Sequence, residues 1–333
     1  MIHLIQQSFA VALLIACASC SHLPTKIVAK AMNNQETIDN IAYLKQYTQA
    51  HLSQAIHVDE DIAYGTLPSQ KLDVVYPEKM TGHLPVVFWV HGGGWVAGSK
   101  QGSLEYVKLI ADRGFIVVNI EYTLVPHAHF PQQVTEINQA VEYVLKQPFK
   151  WNMDSSKVFF AGDSAGANLV TNYVSLITTP DLAQSIALQS PLNPTQLKGM
   201  VLHSGVYDLN TLYNSTQAAS QGFIRWTGRG VIADLSGEKR PTETTLNKMS
   251  ATPWVNKAFP PVFLTASAND LLTEKQSLPF VEKLKQNGVR VDAHIYPKDY
   301  KENLNHDFNF NLRFQASQDM LEQSIQFLLN KSK

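Results

Sequence analysis

Cysteine is almost absent from this chain of 333 residues. The two cysteines, Cys17 and Cys20, lie in or beside an apolar segment near the N-terminus. We therefore expect no disulfide, no cysteine nucleophile and no thiolate metal site in the rest of the chain.

An excess of charge of one sign is also lacking. The chain has 27 Lys and Arg against 28 Asp and Glu, a formal net charge of -1, and no dense basic run. We expect no nucleic-acid partner for such a chain. There is no low-complexity tract and no internal repeat of roughly 20 to 50 residues, which excludes solenoids and propellers. With 44% hydrophobic and 17% charged residues, the chain can bury a globular core.

The N-terminus carries an apolar run, residues 9–18, that is too short to span a bilayer and is followed by polar residues. This pattern predicts a signal peptide over residues 1–20. The tetrad Leu14-Ile15-Ala16-Cys17 resembles the lipobox of bacterial lipoproteins, which predicts lipidation at Cys17 and possible membrane attachment through that lipid. Cys20 fits less well, and residues 1–7 lack the usual Lys or Arg. A cleaved secretory peptide and an uncleaved helix therefore stay open.

The predicted localisation follows from this segment. We expect an exported bacterial protein, periplasmic or anchored to the membrane as a lipoprotein, rather than a cytoplasmic one. Residues 21–58 are helix-prone and predict an N-terminal linker or cap segment.

From about residue 59 short apolar runs alternate with amphipathic segments. The runs predict strands at 72–76, 85–90, 115–120, 158–161, 199–203, 262–266 and 291–296, and the amphipathic segments predict helices at 103–112, 132–146, 165–177, 274–286 and 316–329. Alternation of this kind predicts an α/β fold, with a mostly parallel twisted sheet flanked by helices, in one domain over residues 59–333. A polar stretch with scattered aromatics interrupts it, which predicts a cap insertion at about 208–254.

The pentapeptide Gly162-Asp163-Ser164-Ala165-Gly166 lies between a predicted strand and a predicted helix. A sharp strand-to-helix turn presents the central serine above the edge of the sheet, and small neighbours avoid clashes there. The pattern therefore predicts Ser164 as a nucleophile. A glycine-rich turn that only caps a helix is the alternative.

A serine hydroxyl needs an imidazole to accept its proton and a carboxylate to orient that imidazole. His306 follows the last predicted strand in a loop, whereas His294 lies within that strand, so His306 is the predicted base. Asp270 follows the strand at 262–266 by four residues and is the predicted acid, with Glu274 as the alternative.

The glycines of His91-Gly92-Gly93-Gly94-Trp95 follow another predicted strand. Their backbone can approach a substrate closely, so Gly92, Gly93, Gly94 and Ala165 are predicted to form the oxyanion hole. We interpret His91 as structural. His127 and His129 have no third ligand at workable spacing, so no metal site is predicted.

Together, residues 91–95, 121–131 and 162–166, Asp270-Leu271-Leu272 and His306-Asp307-Phe308 resemble the hormone-sensitive-lipase-like esterases of the α/β-hydrolase fold. The resemblance implies a carboxylic ester hydrolase that acts on small-molecule esters with a Ser164, His306, Asp270 triad through an acyl-enzyme intermediate, without a cofactor. Two positions depart from the usual pattern. Leu271 stands where these relatives have proline, and Asp307 stands where they have glycine.

Two other functions stay open. An arylformamidase-like amidase would carry the same two motifs, because formamide and ester hydrolysis use the same triad. A binding protein that has lost activity is the alternative of another class, although it would have no chemical need for the triad and the glycines together.

Overall fold

The computed structural model describes residues 22–218 and 222–333. The predicted signal peptide, with Cys17 and Cys20, lies outside the described residues. Within the described ranges, no helix is both long and apolar enough to cross a membrane.

The described part of the chain contains eight strands that form one sheet. They are β1 (Ile56–Ala63), β2 (Lys71–Pro77), β3 (Leu84–Val90), β4 (Ile116–Ile120), β5 (Met153–Asp163), β6 (Leu197–His203), β7 (Val262–Ser267) and β8 (Val291–Tyr296). Their order across the sheet is β1-β2-β4-β3-β5-β6-β7-β8. β2 pairs antiparallel with β1 and with β4, and the other neighbours pair parallel.

Helices connect the strands. They are α1 (Leu23–Met32), α2 (Gln35–His51), α3 (Lys100–Ala111), α4 (Gln132–Leu145), α5 (Ser164–Thr178), α6 (Pro180–Gln184), α7 (Leu209–Ala218), α8 (Gly222–Ser236), α9 (Glu243–Lys248), α10 (Leu278–Gln286) and α11 (Gln315–Lys331). The predicted α/β class, with a mostly parallel sheet flanked by helices, is confirmed.

The continuous apolar strands are explained by burial on both faces of the sheet. In β3 the side chains of Val86, Phe88 and Val90 pack into one core cluster, whereas Val87 and Trp89 pack into the other. Helices α4 and α5 cover the first face, and α3 and α11 cover the second. Each such side chain contributes about 1.5–3 kcal/mol on full burial, so an alternating polar pattern would be unfavourable here.

The strand β1 was not predicted from the sequence. Its residues Ile-His-Val-Asp-Glu-Asp-Ile-Ala are only partly buried, because β1 lies at the edge of the sheet. An edge strand can keep one face in solvent, so it needs no continuous apolar run.

Two helical segments lie outside the regular alternation. Helices α1 and α2 precede β1, and α7, α8 and α9 lie between β6 and β7. Helix α1 packs against α8. Pro24 lies against Gly230, where an added Cβ would come within 2.4 Å of the proline ring. That these helices form a cap over a substrate pocket stays a prediction.

Candidate active site

Ser164 begins α5 directly after β5 ends at Asp163. Its φ of +48° lies in the left-handed region, which is unfavourable for a residue with a Cβ and typical of a strained nucleophile turn. The two glycines of the motif are required by packing. A Cβ on Gly162 would lie 2.6 Å from the carbonyl oxygen of Val90, and one on Gly166 would lie 2.0 Å from the same oxygen.

The structure brings Ser164, His306 and Asp270 together. The distance from Ser164 Oγ to His306 Nε2 is 2.8 Å, and that from His306 Nδ1 to Asp270 Oδ2 is 2.7 Å. A carboxylate only accepts hydrogen bonds, so Nδ1–H donates to Asp270 and the neutral ring leaves Nε2 free to accept from the serine hydroxyl. The side chain of His306 is 39% exposed and that of Asp270 is 3% exposed, so a substrate can reach the imidazole but not the carboxylate.

The topology explains why distant residues meet. Strands β5, β6 and β7 are parallel neighbours, so their carboxyl ends lie at one edge of the sheet. Ser164 follows β5 and Asp270 follows β7. Asp270 is held by the backbone N–H of Leu272, which donates to its Oδ1 at 2.9 Å.

A buried polar chain holds the loop that carries His306. The hydroxyl of Thr265 in β7 donates to Asn309 Oδ1 at 3.1 Å and lies 2.7 Å from His203 Nδ1. Burial lowers the pKa of His203 to about 3, so this imidazole is neutral and acts as a hydrogen-bonding group rather than as a charge. Sequence reasoning missed Thr265 and Asn309, because nothing in the local pattern distinguishes them from ordinary core and loop residues.

The alternative residues lie elsewhere. His294 is in β8, where its Nε2 lies 2.9 Å from Asp292 Oδ1 and its ring packs against Phe263. Glu274 is exposed in the short π-helical turn Thr273–Ser277. The side chain that contacts both Ser164 and the acid is His306.

The oxyanion loop, residues 91–95, lies beside Ser164. The N–H of Gly92 donates to Asp163 Oδ2 at 3.0 Å, so this N–H is occupied here, and the contribution of Gly92 to the oxyanion hole stays a prediction. This bond joins the loop to the nucleophile turn. Gly93 and Gly94 have φ of +111° and +59°, which glycine tolerates best, and with Ala165 they are the remaining predicted donors.

The side chain of His91 fixes this loop. Its Nδ1 lies 2.7 Å from the carbonyl oxygen of Gly92, its Nε2 lies 3.1 Å from Glu121, and its ring stacks on Tyr122 at 4.5 Å. These contacts fit the structural role expected for His91.

Helix α1 reaches the oxyanion loop. A Cβ on Gly94 would lie 2.9 Å from Met32 Cε, so the thioether of Met32 covers this glycine. At its other end α1 is joined to α8, because Asp234 contacts the imidazole of His22 at 2.9 Å and the hydroxyl of Thr25. Met32 therefore borders the predicted oxyanion hole.

Asp307 adds a second carboxylate to the base. Its Oδ2 lies 3.2 Å from His306 Nε2, the nitrogen that also contacts Ser164. Burial alone would lower the pKa of His306, but the charges of Asp307 and Asp270 outweigh burial and raise it. Burial also raises the pKa of Asp307, and burial followed by the charge of Asp307 raises the pKa of Asp163. The motif His306-Asp307 was visible in the sequence, but this contact was not.

Known proteins resemble this chain in sequence and in structure. It is 25% identical over 240 residues to a probable isoprenylcysteine alpha-carbonyl methylesterase from Oryza sativa subsp. japonica, covering 72% of this chain and 56% of that protein. It is 29% identical over 155 residues to kynurenine formamidase from Danio rerio, covering 46% of this chain and 48% of that protein. The chain spans little more than half the length of the first curated relatives that it matches.

Esterase B from Lactobacillus rhamnosis (HN001) has a similar structure, with a TM-score of 0.75 at 19% identity over 92% of this chain and 96% of that chain. This likeness confirms the predicted α/β-hydrolase fold. The predicted resemblance to esterases of this fold is also confirmed, because methylesterases and other esterases are among the sequence relatives. The sequence model of the BD-FAE family matches residues 72–284, which is more than half of the chain. The chain therefore belongs to the BD-FAE family.

Proposed function

We propose that this chain is a carboxylic ester hydrolase with Ser164 as its nucleophile. One observation carries the proposal: a continuous hydrogen-bonded path from Ser164 Oγ through His306 to Asp270. Such a path turns a weakly nucleophilic hydroxyl into an effective one, because the imidazole accepts its proton and the carboxylate stabilises the imidazolium that forms. The esterases among the relatives support the same activity.

The proposed reaction has two halves. Ser164 Oγ bonds to the carbonyl carbon while its proton moves to His306 Nε2, and the π electrons of the carbonyl become the charge of an oxyanion. The N–H groups of Gly93, Gly94 and Ala165 hold that oxyanion. Its collapse breaks the ester C–O bond, and the proton on His306 moves to the leaving alcohol. Water then attacks the acyl-enzyme by the same steps, which release the acid and restore Ser164.

The test is an acyl-length series of p-nitrophenyl esters, from acetyl to long-chain, with wild type and Ser164→Ala. We expect loss of kcat on the order of 10⁶ in the variant, with the fold retained. Ser156→Ala is a matched control, because Ser156 is an exposed serine near the opposite end of β5. Near-wild-type turnover by folded Ser164→Ala would remove the proposal, as would an inactive wild type across the series.

A formamidase is the second candidate, and the kynurenine formamidases among the relatives favour it. The triad geometry is common to both reactions, so the substrate must separate them. We expect higher kcat/KM on short p-nitrophenyl esters than on N-formylkynurenine. The reverse order would make the formamidase the better description while leaving the role of Ser164 intact.

We also propose export and lipidation at Cys17, on the lipobox-like tetrad at residues 14–17. A lipid there would hold the enzyme at a membrane, because each buried CH₂ contributes about 0.8 kcal/mol. Mass spectrometry of the N-terminus and membrane fractionation would test it, with Cys17→Ser expected in the soluble fraction and Cys20→Ser at the membrane. A soluble wild type that retains Met1 would end this proposal, and a lipid found on Cys20 would correct its site.

A further inference from the structure

Asp307 occupies a position where the backbone does not need a carboxylate. Its φ of +54° lies in the left-handed region, which glycine adopts without cost and which Asn and Asp tolerate better than other residues. The turn is held through backbone groups, since the N–H of Asp307 donates to Ser204 Oγ at 3.3 Å and that of Phe310 donates to the Asp307 carbonyl at 3.2 Å. The side chain is therefore free to serve another purpose.

The carboxylate of Asp307 lies at ion-pair distance from His306 Nε2, the nitrogen that accepts the serine proton. Asp307 Oδ2 lies 3.2 Å from His306 Nε2, and Ser164 Oγ lies 2.8 Å from the same atom. Nε2 can direct a proton to only one acceptor at a time. When His306 is protonated, its Nδ1–H donates to Asp270, and Asp307 Oδ2 lies at ion-pair distance from Nε2, so the imidazolium lies between two carboxylates.

We propose that Asp307 is a further positioning residue of this site: its carboxylate stabilises the imidazolium form of His306 at Nε2, in competition with Ser164. The inference rests on the proposed function, because it concerns the base of that same triad. In the resting enzyme the contact disfavours the neutral imidazole that accepts the serine proton, so neutral His306 forms only at higher pH. The acid limb of the rate–pH profile is then set by Asp307 as well as by Asp270.

Several titratable groups surround Asp307 and its neighbour Asp163. The titratable groups facing this cluster are Asp270 after β7, Asp163 at the end of β5, Tyr207 after β6 and, around Asp163, His91, Tyr106, Tyr122 and Glu121. Asp163 Oδ1 and Asp307 Oδ1 are both buried without a hydrogen-bond partner among the described residues. Burial raises the pKa of both carboxyls. Of these two carboxyls, Asp307 is the one that contacts His306 Nε2, so its charge acts directly on the base.

A nearby negative charge raises the pKa of an imidazole, so removing it lowers the pKa and lets neutral His306 form at lower pH. Asp307→Asn keeps the shape and tolerates the left-handed backbone, whereas Asp307→Gly removes the side chain and fits that backbone best. We expect both variants to move the acid limb of kcat/KM to lower pH, by about one to three units for a carboxylate at this range.

The experiment measures kcat/KM for p-nitrophenyl butyrate against pH at constant ionic strength in the full chain. Asp299→Asn is the matched control, because it removes the charge of an exposed residue in the same loop, and its limb should stay at the wild-type pH. An acid limb unchanged in both Asp307 variants, or moved to higher pH, would overturn the inference. If Ser164→Ala is inactive in the same assay, the proposed function survives that outcome.

A direct titration keeps the inference testable even where a variant folds poorly. The ring resonances of His306 in wild type, followed by NMR against pH, should give a pKa above the ordinary value of 6.5. They should show a lower pKa in Asp307→Asn. A wild-type value at or below 6.5 would contradict the stabilising contact at Nε2.

Discussion

Replacing Gly94 by alanine separates the chemistry of the oxyanion loop from its folding. The neighbouring Gly93 is unsuitable for this purpose, because a Cβ there would lie 2.1 Å from the carbonyl oxygen of Ala97, a backbone atom that cannot move aside. A Cβ on Gly94 meets only the end of a flexible side chain, at 2.9 Å from Met32 Cε. Gly94→Ala should therefore fold, whereas Gly93→Ala should distort the loop.

Gly94→Ala should lower both the stability of the fold and kcat. At a φ of +59° an alanine costs about 1–2 kcal/mol relative to glycine. For a domain of this size that corresponds to a melting temperature lower by roughly 2–4 °C. The catalytic effect should be larger, because the added methyl group and Met32 together crowd the oxyanion, and displacing it from one donor costs about 2.7–4 kcal/mol, or 10²–10³ in kcat. Met32→Ala in the same chain should recover the part of the loss that comes from crowding.

The assay combines thermal melting with kcat on p-nitrophenyl butyrate for wild type, Gly94→Ala, Met32→Ala and the double variant. The interaction energy in this cycle measures the coupling between Gly94 and Met32, which should exceed the few tenths of a kcal/mol found for independent sites. A folded Gly94→Ala with unchanged kcat would refute the crowding at this position, because alanine keeps the backbone N–H. An additive double variant would show that Met32 does not limit the space at Gly94.

The contacts of His306, Met32 and Lys100 can each be tested by substitution. His306→Ala should be as damaging to kcat as loss of the nucleophile, whereas His294→Ala should stay near wild type, and exchanged phenotypes would show that the base is misidentified. Met32→Ala should raise kcat/KM for bulky acyl groups relative to acetyl several-fold, and an unchanged ratio would contradict its place at the site. Lys100→Met should lower the free energy of unfolding by about 3–5 kcal/mol in urea titrations, because Lys100 Nζ lies 2.6 Å from the buried carboxylate of Asp73; a loss below 1 kcal/mol would refute this.

Most of the fold could be predicted because buried parallel strands leave a strong signal. Seven predicted strands match β2 to β8, and β8 has the predicted bounds, Val291–Tyr296. Apolar runs do not predict segments whose side chains are only partly buried. β1 is an acidic edge strand. The sequence between β6 and β7 contains no apolar run typical of a strand, so helices α7, α8 and α9 could be predicted only as an insertion. In these segments tertiary contacts rather than local pattern decide the structure.

The chemistry of the site divides in the same way. Ser164, Asp270 and His306 could be predicted because each must follow a strand at one edge of a parallel sheet, and chain order then leaves few candidates. The contact of Gly92 could not be predicted, because its neighbour across the sheet, Asp163, accepts its N–H hydrogen bond, and no sequence pattern shows that pairing. The same carboxylate stands beside Asp307, so two motifs that look independent in the sequence form one charged cluster around the base. Asp307 stands where the esterases that this chain resembles have glycine. Its carboxylate therefore adds a charge beside His306 that a glycine could not supply.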